Sequence, residues 1–364
     1  MLVASLEARD FRSLEQAELE LGPGITSVVG ENGTGKTNLL EGIYFGLSGR
    51  SFRTRDRREL IRFGEAVGRA EVEVVQEGEV RHSLLASVSR SEGRRHLLDG
   101  SAGTPAQIAE HRPHLVVFSP DRLVLIKGPP AERRAHLDAF LAARWPTRAP
   151  LRQEYGQVLA QRNALLRRVA AGVAPESELD AWDSALVAAA LPLIEARAEA
   201  AGGLAPHFTE ASSQLGLESA QLRYAPRSEA DSEALRTGLA ERRESDLRRV
   251  RTSLGPHLDE LELSLRDRSL RRYGSQGEQR AGLLALLFAE RETLIDAGAS
   301  TPLMVLDDVM SELDPAHREM LANRLAGQGQ TLVSAADEEA LPSAASERIV
   351  RMPPLAGAEL RVAA

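Results

Sequence analysis

The sequence predicts an α/β protein in which a mixed sheet with helices is interrupted by an inserted, mainly helical lobe. A strand, a glycine-rich loop and a helix follow one another within residues 25–44. An apolar strand that ends in two carboxylates comes only near the C-terminus. Residues 130–250 between them carry mostly helical apolar patterns. We expect the two end segments to return to one sheet, which leaves the middle as a separate lobe.

Composition and charge narrow the class of protein. The chain has 364 residues, no cysteine and a formal net charge of −8. The absence of cysteine excludes a disulfide scaffold, a thiolate zinc site and a cysteine nucleophile. Apolar runs are too short to span a bilayer, and Glu7 and Asp10 argue against a signal peptide. We therefore expect a soluble cytoplasmic protein that meets any anionic partner through a local basic patch.

The first motif is a phosphate-binding loop, and it occupies Gly30-Glu31-Asn32-Gly33-Thr34-Gly35-Lys36-Thr37. A β-branched strand precedes it and an apolar helical pattern follows it, which is the context that the motif requires. The glycines let backbone N–H groups close around phosphates at a helix N-terminus. Lys36 is predicted to pair with the β- and γ-phosphates, and Thr37 to place its hydroxyl on Mg²⁺.

The second motif is an apolar strand that ends in two carboxylates, Pro302-Leu303-Met304-Val305-Leu306-Asp307-Asp308. This is the form of a Walker B element, in which Asp307 holds Mg²⁺ through water. Asp308 stands where a general base or a water-orienting carboxylate belongs. Adjacent strand residues point to opposite faces, so the two carboxylates can have different roles.

The distance between these motifs separates classes of nucleotide-binding protein. Lys36 and Asp307 are 271 residues apart. A nucleoside-monophosphate kinase or a small GTPase closes its site within a much shorter stretch. The spacing therefore favours a protein in which a whole lobe is inserted between the two halves of one nucleotide site.

The third motif, Ser275, Gln276 and Gly277, stands at the start of a long apolar helix. Ser275 and Glu278 have the spacing of a capping box, which by itself accounts for both residues. The run Ser-x-Gly-x-Gln shortly before the second motif also resembles the signature of ABC ATPases. In that family, the signature serine of one subunit contacts the γ-phosphate held by the other. The two interpretations are compatible.

The segment after the second motif resembles another element of ABC ATPases. Ser311 and Asp314 lie in Ser311-Glu312-Leu313-Asp314-Pro315, which is similar to the D-loop that runs along their dimer interface. The same run is also a fair turn into a new helix. The later strand Thr331–Ala335 lacks the nearby histidine of transporter-type ATPases, so the sequence does not predict a γ-phosphate sensor there.

Arginines form several clusters in this acidic chain. One segment after the first helix contains the candidates for DNA contact, Arg50, Arg53, Arg55 and Arg57. A solvated, salt-bridged surface is the alternative for any single cluster. Aromatic residues make up only 4% of the chain, which argues against base stacking on single strands. Contact with the backbone of duplex DNA fits better.

Further blocks of sequence resemble the RecF family of SMC-like ABC ATPases across nearly the whole chain. They are Phe11-Arg12-Ser13-Leu14, Gly49-Arg50-Ser51-Phe52-Arg53-Thr54, Val116-Val117-Phe118-Ser119-Pro120-Asp121, Lys127-Gly128-Pro129-Pro130, Gln161-Arg162-Asn163-Ala164-Leu165-Leu166 and Gly255-Pro256-His257. The chain departs from the family at Leu258, where an arginine is usual, and at Glu278 in the signature. Ser119 lies roughly where ABC proteins carry a glutamine that couples to magnesium.

The resemblance implies an ABC-type P-loop ATPase head. Lobe I is expected over residues 1–120 and 296–364, and lobe II, without a long coiled coil, over residues 121–295. It implies that Arg12 joins the phosphate loop in binding ATP, with Mg²⁺ as cofactor. It also implies an ATP-dependent homodimer with slow, DNA-stimulated hydrolysis.

The implied role is the repair of single-strand gaps in DNA. The family binds duplex DNA and the junctions of double and single strands. It helps RecR and RecO to load RecA. These partners imply a cytoplasmic protein on the nucleoid, with no membrane contact.

Three other functions were weighed against this one. A P-loop metabolic kinase disagrees with the long spacing and with the third motif. An ABC subunit of a membrane transporter disagrees with the missing histidine and the large insert. A clamp that binds ATP but barely hydrolyses it stays open, because Asp308 is a shorter carboxylate than the glutamate common in ABC ATPases.

Overall fold

The computed structural model describes residues 1–327, 329–353 and 359–362, and it divides into two compact units. Unit 1 comprises Met1–Arg122 and Leu294–Ala364, and unit 2 comprises Leu123–Thr293. Within the predicted lobe I, residues 328, 354–358 and 363–364 lie outside the described residues. The assignment of residues 1–120 and 296–364 to an ATPase lobe I, and of residues 121–295 to a lobe II, stays a prediction.

The strands of the described residues are, in chain order, β1 (Leu2–Phe11), β2 (Leu14–Glu20), β3 (Ile25–Val29), β4 (Val67–Val75), β5 (Arg81–Ser89), β6 (Gly93–Leu98), β7 (Ser101–Ala102), β8 (Leu115–Phe118), β9 (Ala220–Ala225), β10 (Glu260–Leu265), β11 (Arg268–Ser269), β12 (Leu303–Leu306), β13 (Thr331–Ala335), β14 (Ile349–Arg351) and β15 (Glu359–Val362). The helices are α1 (Lys36–Ser48), α2 (Pro105–Glu110), α3 (Val124–Lys127), α4 (Pro130–Arg144), α5 (Leu151–Ala170), α6 (Leu179–Gln214), α7 (Ser232–Arg249), α8 (Leu270–Tyr273), α9 (Gln276–Asp296) and α10 (Pro315–Leu325).

Unit 1 contains two sheets. One has the order β15-β2-β1-β4-β5-β6-β7 and is antiparallel except for the pairing of β15 with β2. The other has the order β14-β3-β13-β12-β8 and is wholly parallel. The predicted α/β class is confirmed, and the strands that precede the phosphate loop and the two carboxylates, β3 and β12, lie in the same parallel sheet.

Helix α1 supplies the hydrophobic core that the two sheets of unit 1 share. Its buried residues Leu40 and Ile43 belong to one cluster with Leu6 of the antiparallel sheet and Val305 of the parallel sheet. The backbone of α1 approaches β4 so closely at Gly46 that a Cβ there would stand 2.5 Å from a methyl group of Val72. Any larger residue would push the helix away from the strand.

A buried glutamine ties the parallel sheet of unit 1 to the antiparallel one. The β1–β4 register shifts between Val3 and Ser5. Gln330, just before β13, accepts a hydrogen bond from the Val3 N–H at 2.8 Å. Its amide donates to the carbonyls of Val3 at 2.7 Å and Gly22 at 3.0 Å. One side chain thus satisfies three backbone groups that have lost water.

Unit 2 is mainly helical, with a small sheet of order β11-β10-β9. Helix α6 has 36 residues, and apolar side chains of α5, α6 and α7 form one of its cores. Among these helices, the fully buried Arg162 donates to Asp183 at 2.6 Å and to Asp246 at 2.9 Å. Among the described residues, no helix has the length and apolar character needed to span a membrane.

The bridge formed by Gln330 gives a stability prediction. Gln330→Leu is expected to lower the free energy of unfolding by about 3 kcal/mol, because the three backbone groups keep their burial but lose their partner. Urea-induced unfolding followed by circular dichroism measures the change. Gln153→Leu, at an exposed position of α5, is the control and should change it by less than about 0.5 kcal/mol. Equal effects of the two substitutions would contradict the role assigned to Gln330.

Candidate nucleotide-binding site

The phosphate loop lies between a fully buried strand and the first turn of α1. All five residues of β3 are buried, and α1 begins at Lys36 directly after Gly35. Gly33 and Gly35 have φ values of 90° and 98°, which residues with a side chain rarely adopt. The glycines therefore allow the loop to turn back over the positive end of the helix, which is an arrangement suited to an anion.

The lysine of the loop is buried against the loop itself. The Lys36 ammonium donates to the carbonyl of Gly30 at 2.6 Å and to that of Glu31 at 3.0 Å, and the residue is 7% exposed. Thr34 closes the same turn, since its hydroxyl donates to the Glu31 carbonyl at 2.9 Å. These contacts keep a positive charge within the loop. Asn32 is exposed at its rim.

The second motif meets the first through two hydroxyl groups. Asp307 follows β12, and its Oδ1 accepts hydrogen bonds from the hydroxyls of Thr37 and Ser334, each at 2.8 Å. The backbone N–H of Asp307 continues the ladder to β8 by donating to the Phe118 carbonyl at 2.9 Å. The structure thus brings together two residues that stand 270 positions apart in the chain.

The two adjacent carboxylates have different surroundings. Asp307 is 5% exposed, and burial raises its pKa, while the bonds from Ser334 and Thr37 partly oppose that rise. Asp308 is half-buried and adopts a left-handed backbone with φ of 53°. Its backbone N–H donates to the Ser334 hydroxyl at 2.8 Å. One carboxylate therefore faces inward onto hydroxyl groups, and the other is available for a different task.

The oxygen groups beside Asp307 suit a magnesium ion. Mg²⁺ prefers oxygen ligands and is usually held by one or two carboxylates together with substrate phosphates. Thr37 and Asp307 supply a hydroxyl and a carboxylate already in contact. Ser119, next after β8 and beside Asp307 in the sheet register, has a buried hydroxyl without a hydrogen-bond partner among the described residues. The described residues contain no group of three or more His, Cys, Asp or Glu side chains that could hold a metal.

Arg12 contacts the phosphate-loop helix rather than the loop. Its guanidinium makes two hydrogen bonds of 2.9 Å to the carboxylate of Glu41, which is fully buried in α1. Arg53 donates to the same carboxylate at 3.3 Å and to the Asn38 amide oxygen at 3.0 Å. These arginines and Asn38 line a cleft of about 600 Å³ that also includes the exposed Phe63. The sequence did not indicate Glu41, because a buried acid inside an apolar helix has no motif of its own.

The signature residues form the predicted capping box on unit 2. The backbone N–H of Ser275 donates to the Glu278 carboxylate at 2.7 Å, and the N–H of Glu278 donates to the Ser275 hydroxyl at 3.2 Å. Hydrogen bonds to its carboxylate from the backbone and from the side chain of Ser275 lower the pKa of Glu278. Gln276 and Gly277 begin α9 and are exposed, and a Cβ added at Gly277 would contact nothing within 4 Å. The signature role of these residues stays a prediction.

The D-loop candidates have local structural roles. The Ser311 hydroxyl donates to the Asp308 carbonyl at 2.9 Å. Asp314 caps α10, because its carboxylate accepts the backbone N–H of His317 at 3.1 Å and contacts the His317 ring at 2.6 Å. Both contacts agree with a turn into a helix, so the dimer-interface role of Ser311 and Asp314 also stays a prediction.

The four arginines proposed to contact DNA separate into two groups. Arg53 lies in the cleft with Glu41 and Asn38, as described above. Arg50, Arg55 and Arg57 are exposed on the surface of unit 1, where Arg57 begins a short helical turn capped by Asp56. A run of residues that looks uniform in sequence therefore faces two different surroundings.

Comparisons with known proteins identify a family. Residues 2–356 match the model of the RecF/RecN/SMC N terminal domain. The chain is 38% identical over 357 residues to the DNA replication and repair protein RecF of Anaeromyxobacter sp. (strain Fw109-5), which covers 95% of each chain. It is 35% identical to the protein of the same name from Heliobacterium modesticaldum, which covers 89% of each chain.

Solved structures show the same relationship. A structure of the recombination mediator protein RecF with ATP, from the RecFOR pathway, matches with a TM-score of 0.84 at 25% identity. The match covers 94% of this chain and 93% of that one. An Smc head domain from Pyrococcus furiosus, bound to the C-terminal domain of ScpA, matches in fold with a TM-score of 0.59 at 18% identity, over 97% of this chain and 94% of that one.

Burial of Asp307 gives a pH-dependent prediction. Because the pKa of Asp307 is raised in the folded protein, ionisation of this residue disfavours folding, and stability falls as pH rises from the ordinary value near 3.9 through the raised one. Asp307→Asn in EDTA should raise the melting temperature by roughly 2 °C or more at pH 8. The difference should shrink near pH 4, which thermal unfolding across pH measures.

Asp308→Asn is the matched control for this measurement. Asp308 is more exposed, and asparagine accepts its left-handed backbone, so its melting temperature should stay within about 1 °C of the wild type. A lower melting temperature for Asp307→Asn at pH 8 would show that the buried charge is not destabilising.

Proposed function

The chain belongs to the RecF family of SMC-like ATPases, and from this premise we propose that it is an ATPase of recombinational DNA repair. ATP binding drives two copies into a homodimer that clamps DNA, and slow, DNA-stimulated hydrolysis opens it. The clamp acts at the double- and single-strand junctions of gaps, where it assists RecR and RecO in loading RecA. This work takes place in the cytoplasm, on the nucleoid.

One observation carries the ATPase proposal. The contact of Thr37 with Asp307 joins a phosphate loop and a carboxylate strand into one site. In that site the Lys36 ammonium leaves the loop carbonyls to pair with the β- and γ-phosphates, and the N–H groups of Gly30–Gly35 surround them. Thr37 and Asp307 hold Mg²⁺, which neutralises charge on the transferred phosphoryl group. Asp308 orients the attacking water and accepts its proton at a carboxylate oxygen.

The exposed start of α9 supports closure of the site by a second copy. A 21-residue helix presents a positive N-terminal end at Ser275. In the free protein the Ser275 hydroxyl takes part in the capping box with Glu278, and in the proposed dimer its proton turns to a γ-phosphate oxygen. Capping in the free protein and phosphate contact in the dimer are therefore compatible. Ser311 and Asp314 lie along the interface in this proposal.

Removal of the loop lysine tests the nucleotide site. Lys36→Ala should weaken ATP binding by at least 100-fold, because it removes a charge that pairs with two phosphates. Isothermal titration calorimetry with Mg-ATP measures the change. Lys127→Ala is the matched control, since Lys127 is the only other lysine of the chain and is exposed. Equal ATP affinity in Lys36→Ala and the wild type would refute the assignment.

A substitution at the signature tests the dimer separately from ATP binding. Ser275→Arg should leave ATP affinity within about twofold and prevent ATP-dependent dimerisation, because a long cation replaces the hydroxyl at the contact. Sedimentation velocity with and without Mg-ATP measures the mass. Gln157→Arg adds the same charge at an exposed position of α5 and should dimerise normally. A wild-type mass that ignores ATP would leave Ser275 as a helix cap alone.

A further inference from the structure

Four arginines from three segments of the chain come together at the C-terminal end of α1. Arg94 of β6 donates to the carbonyl of Gly49, the residue that ends α1, at 2.8 Å, which places it beside Arg50. Burial is the main cause that lowers the pKa of Arg94 and the pKa of Arg112. Nearby positive charges add to it, those of Arg57 and Arg50 at Arg94 and that of Arg50 at Arg112. We call Arg50, Arg57, Arg94 and Arg112 the arginine cluster.

The arginine cluster has no acidic partner. Among the residues that the structure describes, none of its four members forms an ion pair, whereas neighbouring Arg53, Arg62 and Arg95 each contact a glutamate. The chain carries 53 acidic residues against 45 basic ones, so acids are plentiful. Like charges held together repel one another and disfavour the folded state. A ligand with several negative charges removes that repulsion.

The cluster is separate from the nucleotide site. Helix α1 has 13 residues and is therefore about 20 Å long. Lys36 stands in its first turn, and Gly49, which binds Arg94, ends it. A nucleotide held by the phosphate loop cannot reach the arginine cluster with its phosphates. The anion that satisfies the cluster is a different molecule.

The surroundings of the cluster favour a phosphate backbone over unpaired bases. The described residues expose a few large apolar side chains, among them Phe63 and Tyr273, but none belongs to the cluster. The nearby rings of Tyr44 and Phe52 pack edge to face on each other with centroids 5.4 Å apart. Stacking of single-stranded bases needs exposed rings, whereas guanidinium groups bind phosphate oxygens in a fork.

We propose that the arginine cluster binds the phosphate backbone of duplex DNA without reading its base sequence. This inference rests on the proposed function, because it names the surface that holds the DNA. In this proposal Arg50 and Arg57, from the arginine segment that the sequence indicates, contact DNA, whereas Arg53 of the same segment contacts Glu41 and Asn38. It adds Arg94 and Arg112, which are distant from that segment along the chain.

The test compares two double variants that change net charge equally. Arg57→Ala with Arg94→Gln removes two members of the cluster, and glutamine keeps a donor for the Gly49 carbonyl. Arg81→Ala with Arg95→Ala is the control, since these exposed arginines each form an ion pair, with Glu73 and Glu92 respectively. Fluorescence anisotropy with a labelled duplex of about 30 base pairs is measured at several salt concentrations, with and without Mg-ATPγS.

The cluster variant should bind the duplex at least 10-fold more weakly at about 0.1 M salt. Its plot of log affinity against log salt should be shallower by about two, since each lost phosphate contact removes about 0.9. The control should keep the wild-type slope. Arg57→Ala alone changes an exposed side chain and should make the slope shallower by about one. Because this single substitution should not disturb folding, it tests the proposal even if the double variant misfolds.

Three results would overturn the proposal. The first is an equal loss of affinity in the cluster and control variants. The second is a wild type that binds no duplex although it binds ATP. The third is equal wild-type affinity for a single strand of the same length. ATP affinity and the ATP-dependent mass of the protein in solution are measured in parallel. Failure of the proposed ATPase function would change those two measurements, whereas failure of the DNA-binding proposal would change only the salt dependence of duplex binding.

Discussion

The carboxylate of Asp307 joins the two ends of this chain at one point. Its oxygen accepts the hydroxyls of Thr37, in the first turn of α1, and of Ser334, in β13. These contacts are possible because β3, β13 and β12 are parallel neighbours, so that the segments following them emerge at the same edge of the sheet. That order of strands determines where the phosphate loop and the second carboxylate lie. It also allows unit 2 to be inserted in the chain between them.

Several features of the site residues are unfavourable for stability. Asp307 is buried with a raised pKa, and Asp308 and Arg12 hold left-handed backbones with φ of 53° and 55°. Specific partners hold these residues in place, as Glu41 does for Arg12 and Ser334 does for Asp308. Strained backbone persists where surrounding contacts hold it in place, and it is common at binding and catalytic sites.

Helix α1 connects two regions of positive charge. Its N-terminal turn carries Lys36, and the residue that ends it binds Arg94. The chain then returns along the helix, where the Ser51 hydroxyl and Arg53 both donate to the Glu41 carboxylate. Helix α1 and the short segment that follows it therefore contact both the cleft lined by Arg12 and Arg53 and the arginine cluster.

The sequence by itself determined the features that depend on neighbouring residues. The phosphate loop at Gly30–Thr37, the capping box of Ser275 and Glu278 and the α/β class were all readable, because residue type dictates local backbone shape. Only the tertiary structure decided which distant groups meet. Ser334, Glu41 and the pairing of Arg94 with Gly49 carry no local pattern, since their positions follow from strand order and from the packing of α1 between two sheets. The same packing brings Asn38 and Glu41 of α1 within hydrogen-bonding distance of Arg53, a contact that no local sequence pattern indicates.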